Sequence, residues 1–302
     1  MEFDARATGL PGRSPAPDLV GRRRRGQAVL MSTHDKPAPP IALAIAGSEA
    51  SGGAGAQTDL KTFQQLGVYG CVALTCIVSM DPKNDFDHRV VGIEPQVILD
   101  QIEANVGVHA GIDAVKIGML GSLPVIEAVD EALGRYALPT VVLDPVLVCK
   151  GQEFAGAKAV DDALRSKILP RATMTTPNLF ETATLAGVEE ITTVEALKDA
   201  AKRIHDQGVP NVLAKAGPSL GTGTALDVFY DGTTLEVLEV PAVGTERVHG
   251  AGCTLAAAVT AELAKGATPL EAAVTAKDVV AASIGMRGNI PFPYVYQGWY
   301  SA

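Results

Sequence analysis

The chain is short of several things that would point elsewhere. Aromatic residues are only 5% of its 302 residues, and there is one tryptophan. A core must therefore come from Val, Ile, Leu and Ala, which suits a sheet covered by helices on both faces. Basic side chains are outnumbered 25 to 34, for a net charge of −9. That argues against general nucleic-acid binding, which needs a basic face, but leaves small anionic ligands open. No apolar run is long enough to span a membrane. The four cysteines, Cys71, Cys76, Cys149 and Cys253, form no C-x-x-C pair and no metal-ligand spacing. Reduced thiols in a cytoplasmic protein are the expectation. There is no G-x-x-x-x-G-K-[ST], and no G-x-G-x-x-G after the first strand, which argues against a P-loop ATPase or a standard dinucleotide fold.

Residues 1–40 differ from the rest. They hold seven basic and four acidic side chains, so the remainder carries −9 − 3 = −12. Rich in Pro, Gly and Arg and without a helical or strand period, they read as a disordered leader. The run Arg22–Arg25 is followed by no apolar segment, so it is not a secretory signal. Met31 offers a second start. Residues 41–302 read as one domain.

Along that domain, strand and helix patterns alternate. Apolar runs "IALAIAG" (41–47), "CVALTCIV" (71–78), "DAVKIG" (113–118), "TVVLDPV" (140–146) and "NVLAKAG" (211–217) read as strands, with 71–78 central. Ala56, Leu60, Phe63 and Leu66 recur at helical spacing up to Gly67. Further helices are expected near 95–106 and 122–136. One more follows a capping box from Thr192 to Glu195, and another opens with "TPLE" (268–271). A hairpin turns at Asp231-Gly232. The pattern predicts an α/β fold with a mainly parallel central sheet and helices on both faces. Ligands in such folds bind at the carboxyl ends of strands, and the unusual loops all follow strands.

Those loops hold the candidate chemistry. "HGAGC" (249–253) feeds two glycines and a cysteine into a helix, where free amides and the helix dipole favour an anion; a plain Gly-rich cap accounts for it equally well. "SGGAG" (51–55) reads first as a turn. "DPVLVCKG" (144–151) leaves Asp144 at a strand end, then Cys149 and Lys150. "TPNLFE" (176–181) sets Asn178 three residues before Glu181. Mg²⁺ takes few carboxylates and keeps water, so these acids suit it, but a capping box explains 178–181 more simply. Lys215 ends a strand, where it either reaches a phosphate or is solvated. "MDPKNDFDHRV" (80–90) reads as a polar loop, with His88 on the surface.

Taken in order, "AGSEASGGAGAQTDLKTFQQLGVYG", "KIGML", "DPVLVCKG", "TPNLFE" and "HGAGCT" closely resemble the ribokinase-like vitamin kinases, over roughly residues 41–285. The particular branch is hydroxymethylpyrimidine kinase and the pyridoxal kinases derived from it. The resemblance implies a ribokinase-like three-layer sandwich that uses Mg²⁺ and ATP. It implies phosphorylation of a hydroxymethyl group on a planar heteroaromatic ring, often by a homodimer.

Carried onto this chain, the resemblance puts the amides of Gly250, Ala251, Gly252 and Cys253 against the transferring phosphoryl. Asp144 and Glu181 organise Mg²⁺. Asn178, Lys215, Gly217, Ser219, Asp227 and Gly252 lie along ATP. Ser48, Gly53, Gly55, Met80, His88 and Met119 surround the ring. Two positions depart from the pattern: Glu49 replaces Asp, and Ala216 replaces Gly. Met80 stands where the strict pyrimidine kinases are expected to carry Gln, and it cannot donate to a ring nitrogen. Pyridoxal, pyridoxine and pyridoxamine are therefore expected first, with the pyrimidine second. A non-catalytic pyridoxal phosphate-binding protein and a sugar or nucleoside kinase are the alternatives.

Sugar kinases of the superfamily place Asp where this chain has Cys253, as the base. A free thiol has a pKa of about 8.5, and a helix N-terminus lowers it. Cys253 is thus expected to reach the thiolate near neutral pH. Repulsion from the incoming phosphoryl points the other way, to a thiol that loses its proton late. His88 is a candidate proton partner. Cys149 is a candidate for reversible addition to an aldehyde substrate.

Overall fold

The computed structural model describes residues 38–84, 87–147, 157–244 and 248–295. The leader up to residue 37, and Cys149 with Lys150, lie outside them. The elements run β1 (Ile41–Glu49), α1 (Gly55–Gln65), β2 (Tyr69–Asp81), β3 (Asp87–Gly92), α2 (Pro95–Val108), β4 (Ala114–Ile117), α3 (Leu123–Arg135), β5 (Val141–Leu143), α4 (Ala157–Ala163), β6 (Met174–Thr175), α5 (Leu179–Ala186), α6 (Val194–His205), β7 (Asn211–Gly217), β8 (Thr224–Tyr230), β9 (Leu235–Pro241), α7 (Ala251–Ala264) and α8 (Pro269–Gly285).

Strand alternation sends neighbouring side chains to opposite faces, and that builds three layers. On β1, Leu43 and Ile45 join the core under α2, α3, α5 and α6, while Ala42 and Ala44 face α1 and α7. On β7, Val212 and Ala214 share the first core, and Leu213 meets α7 and α8. The alanine-rich side of β1 lets α7 approach closely, with Ala257 and Ala261 fully buried there.

Among the described residues the sheet has nine strands in the order β3-β2-β1-β4-β5-β6-β7-β8-β9. From β2 to β7 neighbours are parallel; β3, β8 and β9 are antiparallel additions at the two ends. The chain goes from β1 to β2 and β3 on one side, then returns through α2 to place β4 on the other side of β1. This is the kind of switch point at which α/β sheets open a crevice. No described helix is long and apolar enough to cross a membrane.

Three local expectations need correction. The strand at 71–78 is the second from an edge, not central. The segment 80–90 is not simply a loop: β2 runs to Asp81 and β3 pairs with it, Met80 opposite His88. Most of that ribbon's residues are polar or exposed, so backbone ladder bonds hold it where a burial pattern would have betrayed it. The cap of α6 is Thr193, whose hydroxyl accepts the Ala196 amide at 3.1 Å, not Thr192. The capping box at Thr268 and Glu271 is present.

Candidate active site

A cavity of about 540 Å³ opens at the carboxyl ends of the parallel strands. Val240, Val243, Val280 and Ile284, from β9, its following turn and α8, give it an apolar slot. Gly47, Val78, His88, Met119 and His249 also line it, as do the charged groups described below.

The N-terminal turn of α7 is packed against the Gly-rich turn before α1. Gly250 caps α7 at φ +85°, and a Cβ there would lie 1.7 Å from the Gly53 carbonyl oxygen. Gly55, at φ +62°, would put a Cβ 2.3 Å from the Gly47 carbonyl oxygen. Neither position accepts a side chain. No side chain caps α7, and its first turn holds no acidic residue; the Ala251 amide donates to the Val248 carbonyl at 3.2 Å, which leaves the Gly252 and Cys253 amides and the dipole to an anion. Gly250→Ala is expected to destabilise the protein by about 1–3 kcal/mol, from left-handed backbone strain and the clash. It should also weaken anion binding at this turn. Calorimetry with ADP and a melting curve check both, and a variant that matches wild type in each would contradict this packing.

Beside that turn lie the charges. Lys215 Nζ donates to Asp144 Oδ1 at 2.9 Å, and Thr176 Oγ1 donates to the same oxygen at 3.3 Å. Burial works against ionisation of Asp144, but Lys215 and Lys116 outweigh it and hold the carboxyl below its usual range. Lys215 is half-buried, and although desolvation works against its charge, Asp144 and Glu181 keep it charged with a raised pKa. Asn178 and Glu181 form a reciprocal capping box, at 2.7 and 3.1 Å. The simpler account of their spacing is thus present, and both also line the cavity. Asp227 Oδ1 accepts the Ala216 and Gly217 amides, while Oδ2 accepts Lys277 Nζ at 2.8 Å.

Cys253 lies in the first turn of α7, on the cavity wall. Burial pushes its thiol up to about 11, against the opposing pull of Lys116 and a hydrogen bond from the Gly55 amide. This corrects the expectation of a thiolate near neutral pH: desolvation of the charged form exceeds what the helix N-terminus supplies. The thiol rests protonated.

Of the residues expected at the site, Gly55, His88, Met119, Asp144, Asn178, Glu181, Lys215, Gly217, Asp227, Gly250, Ala251, Gly252 and Cys253 line this cavity. Ser48, Gly53, Met80 and Ser219 do not line it. Ser48 Oγ accepts from Gln57 at 2.7 Å, Gly53 abuts Gly250, and Ser219 is exposed in the turn after β7. Met80 shares a ribbon face with His88.

Sequence reasoning missed Lys116, Asp59, Lys277 and His249. Lys116 is fully buried on β4, and its Nζ donates to Asp59 Oδ2 at 3.0 Å. The signal was a lysine inside the apolar run "AVKIG". Asp59 falls between Ala56 and Phe63 on the buried stripe of α1, and Lys277 between Ala273 and Val280 on α8. Glu49 also gains a role beyond its extra methylene. Its carboxylate accepts the Ser51 and Ala54 amides at 3.1 and 2.9 Å and faces His249 Nε2 at 3.8 Å. Those contacts outweigh burial and hold it below the usual carboxylate range.

The pattern of a helix-cap anion seat beside two carboxylates and a lysine has counterparts. A family profile described as phosphomethylpyrimidine kinase matches residues 49–291. The chain belongs to this family. It is 48% identical over 243 residues to the pyridoxine kinase of Bacillus subtilis, covering 80% of this chain and 89% of that protein. It is 40% identical over 253 residues to a Haemophilus influenzae hydroxymethylpyrimidine/phosphomethylpyrimidine kinase, covering 82% of this chain and 92% of the relative. The structure of Staphylococcus aureus pyridoxal kinase with AMP-PCP and pyridoxal superposes with a TM-score of 0.78 at 39% identity. It covers 87% of this chain and 95% of that one. The ribokinase-like α/β architecture expected from the sequence is the one these relatives share.

Proposed function

We propose that this protein transfers the γ-phosphoryl group of ATP to the hydroxymethyl group of pyridoxal, pyridoxine and pyridoxamine, in the cytoplasm. Hydroxymethylpyrimidine is proposed as a second substrate. The observation that carries this reading is that one cavity joins the uncapped α7 turn, Cys253, Lys215 and two buried carboxylates. The named relatives are a pyridoxine kinase and a hydroxymethylpyrimidine/phosphomethylpyrimidine kinase, and another is solved with an ATP analogue and pyridoxal together. A pyridoxal phosphate carrier would have no use for Lys215, Asp144 and Glu181 at the same wall.

Mg²⁺ fits the donor set. Among the described residues no cluster of three or more His, Cys, Asp or Glu could cage a metal alone. Two carboxylates at a phosphate seat match an ion that takes few protein ligands and completes its shell with water and phosphate oxygens. Asp144 and Glu181 would hold it, partly through water, and it would neutralise phosphate charge. The protein's own groups do the rest. The amides of Gly250, Gly252 and Cys253 receive the equatorial oxygens of the transferring group, the Ala251 amide being held by the Val248 carbonyl, and phosphoryl transfer is mostly such positioning and charge stabilisation. Lys215 and Asn178 bind phosphates. Asp227 holds the Ala216–Gly217 turn along the nucleotide. Cys253 first gives its own proton to His88, a candidate partner, or to solvent, and the thiolate then takes the hydroxyl proton.

Incubation with Mg²⁺, ATP and pyridoxal should yield pyridoxal 5′-phosphate by mass spectrometry; absence of that product overturns the reading. Met80 does not line the cavity itself but pairs across the ribbon with His88, which does; a Met80→Gln side chain turned toward the cavity should shift preference toward hydroxymethylpyrimidine by about 1–3 kcal/mol, the worth of one buried hydrogen bond. Unchanged ratios in a competition assay would show that Met80, opposite His88, does not set the choice. A homodimer is also proposed. The exposed cross-strand pair Ile77 and Val91 on the β2–β3 ribbon is apolar surface that a second copy would cover.

A further inference from the structure

The match to the family ends at residue 291, and the next residue reaches the site. After α8 the chain turns at Arg287–Ile290, where the Ile290 amide donates to the Arg287 carbonyl at 3.1 Å. The Tyr294 amide then donates to the Ser283 carbonyl at 3.2 Å. Val295 is buried in the core shared with α7 and α8. Between these anchors Pro291 and Pro293 flank Phe292 and stiffen the arm.

Phe292 lies directly on Gly53. A Cβ at Gly53 would fall 2.3 Å from the ring. Gly53 has no left-handed backbone requirement, so its missing side chain serves the seat of this ring. The ring also meets His249 edge-on, with centroids 5.8 Å apart. On its other side Gly53 turns its carbonyl oxygen to Gly250. The Gly-rich turn is thus held between an aromatic ring outside and the anion-seat turn inside, with Glu49 tying its two ends.

We infer that Phe292 is a positioning residue that holds the Gly52–Gly55 turn and His249 in place at the end of the cavity that His88 and Met119 also line, and so sets vitamin affinity more than nucleotide affinity. It does not line the cavity and acts through Gly53 and His249. The inference rests on the kinase reading for its kinetic form, while the clamp itself has a readout independent of catalysis. An edge-on aromatic contact is worth about 0.5–1.5 kcal/mol beyond burial, or roughly two- to twelve-fold in an equilibrium.

The test uses full-length protein, with calorimetric binding of pyridoxine and of ADP, steady-state kinetics and melting curves for four variants. Phe292→Ala should weaken pyridoxine binding and raise its KM about three- to ten-fold, with ADP binding and KM for ATP within two-fold. Phe292→Tyr should restore wild-type behaviour. Gly53→Ala evicts the ring and should reproduce the Phe292→Ala effect, and the double variant should add nothing further, in binding or in melting temperature. Additive effects, equal losses for ATP and vitamin, or an alanine variant that binds pyridoxine normally would each overturn the clamp. A wild-type protein that binds ADP but neither binds nor phosphorylates pyridoxine would overturn the substrate reading instead, while non-additivity in melting temperature would still report the clamp.

Discussion

Cys253→Ala should lower kcat by roughly 10²–10⁴-fold, the usual worth of a positioned general base. ATP affinity should barely change, because the anion seat consists of backbone amides that alanine retains. The raised pKa adds a second signature. Burial holds the thiol near 11, so below that pH the protonated form predominates and the thiolate fraction grows about ten-fold per pH unit. A base that must first lose its own proton should therefore make kcat/KM climb steadily from pH 7 to 9. Cys253→Asp should recover part of the rate and flatten that rise, because a carboxylate ionises well below a thiol. Rates across this pH range, with ATP binding by calorimetry, separate the cases. An alanine variant close to wild type would mean that the thiol merely fills a tight turn, and that the proton leaves through His88 or a phosphate oxygen.

Lys116→Met should destabilise the protein by about 3–5 kcal/mol, the cost of removing one partner from a buried ion pair. Lys116 and Asp59 are both fully buried, and among the described residues Asp59 Oδ1 has no hydrogen-bond partner. Removing the ammonium leaves Asp59 with nothing to offset its desolvation. Even with Lys116 present, burial raises Asp59 from 3.8 to about 6; without it the shift grows. A carboxyl whose folded pKa exceeds its unfolded value binds more protons when folded. Its folded state is therefore favoured at low pH, and stability falls as pH rises from about 4 through 6 and beyond. The variant should accordingly be closer to wild type at pH 5 than at pH 8. Adding Asp59→Leu should recover much of the loss, since an apolar pair can replace a buried ion pair. Denaturant unfolding at the two pH values tests this. A single variant as stable as wild type at pH 8 would show that the pair carries no such penalty.

How much was legible follows the physics of each signal. Strands β1, β4, β5 and β7 are buried on both faces, so their apolar runs stood out, and Gly or Pro punctuated the helices. The ribbon end of β2 and all of β3 were hidden because their pairing is held by backbone bonds beneath a polar surface. Glycines in unusual turns marked where the backbone presses close, and Gly250 is the sharpest example. Asp144, Asn178, Glu181 and Lys215 sit at strand or helix ends, where polar residues draw the eye. Lys116, Asp59 and Lys277 were passed over because each interrupts an otherwise apolar face, and pairing across elements distant in sequence is not visible along a chain. The state of Cys253 could not be read either: the helix N-terminus is local, but the burial that overrides it is tertiary.

The most direct test of the account is ADP release by the purified protein with Mg²⁺ and ATP, measured side by side for pyridoxal, hydroxymethylpyrimidine and ribose. The account predicts the highest kcat/KM for pyridoxal, a lower but clear rate for the pyrimidine, and background for ribose. Turnover led by ribose, or no vitamin-dependent ADP release at all, would contradict it.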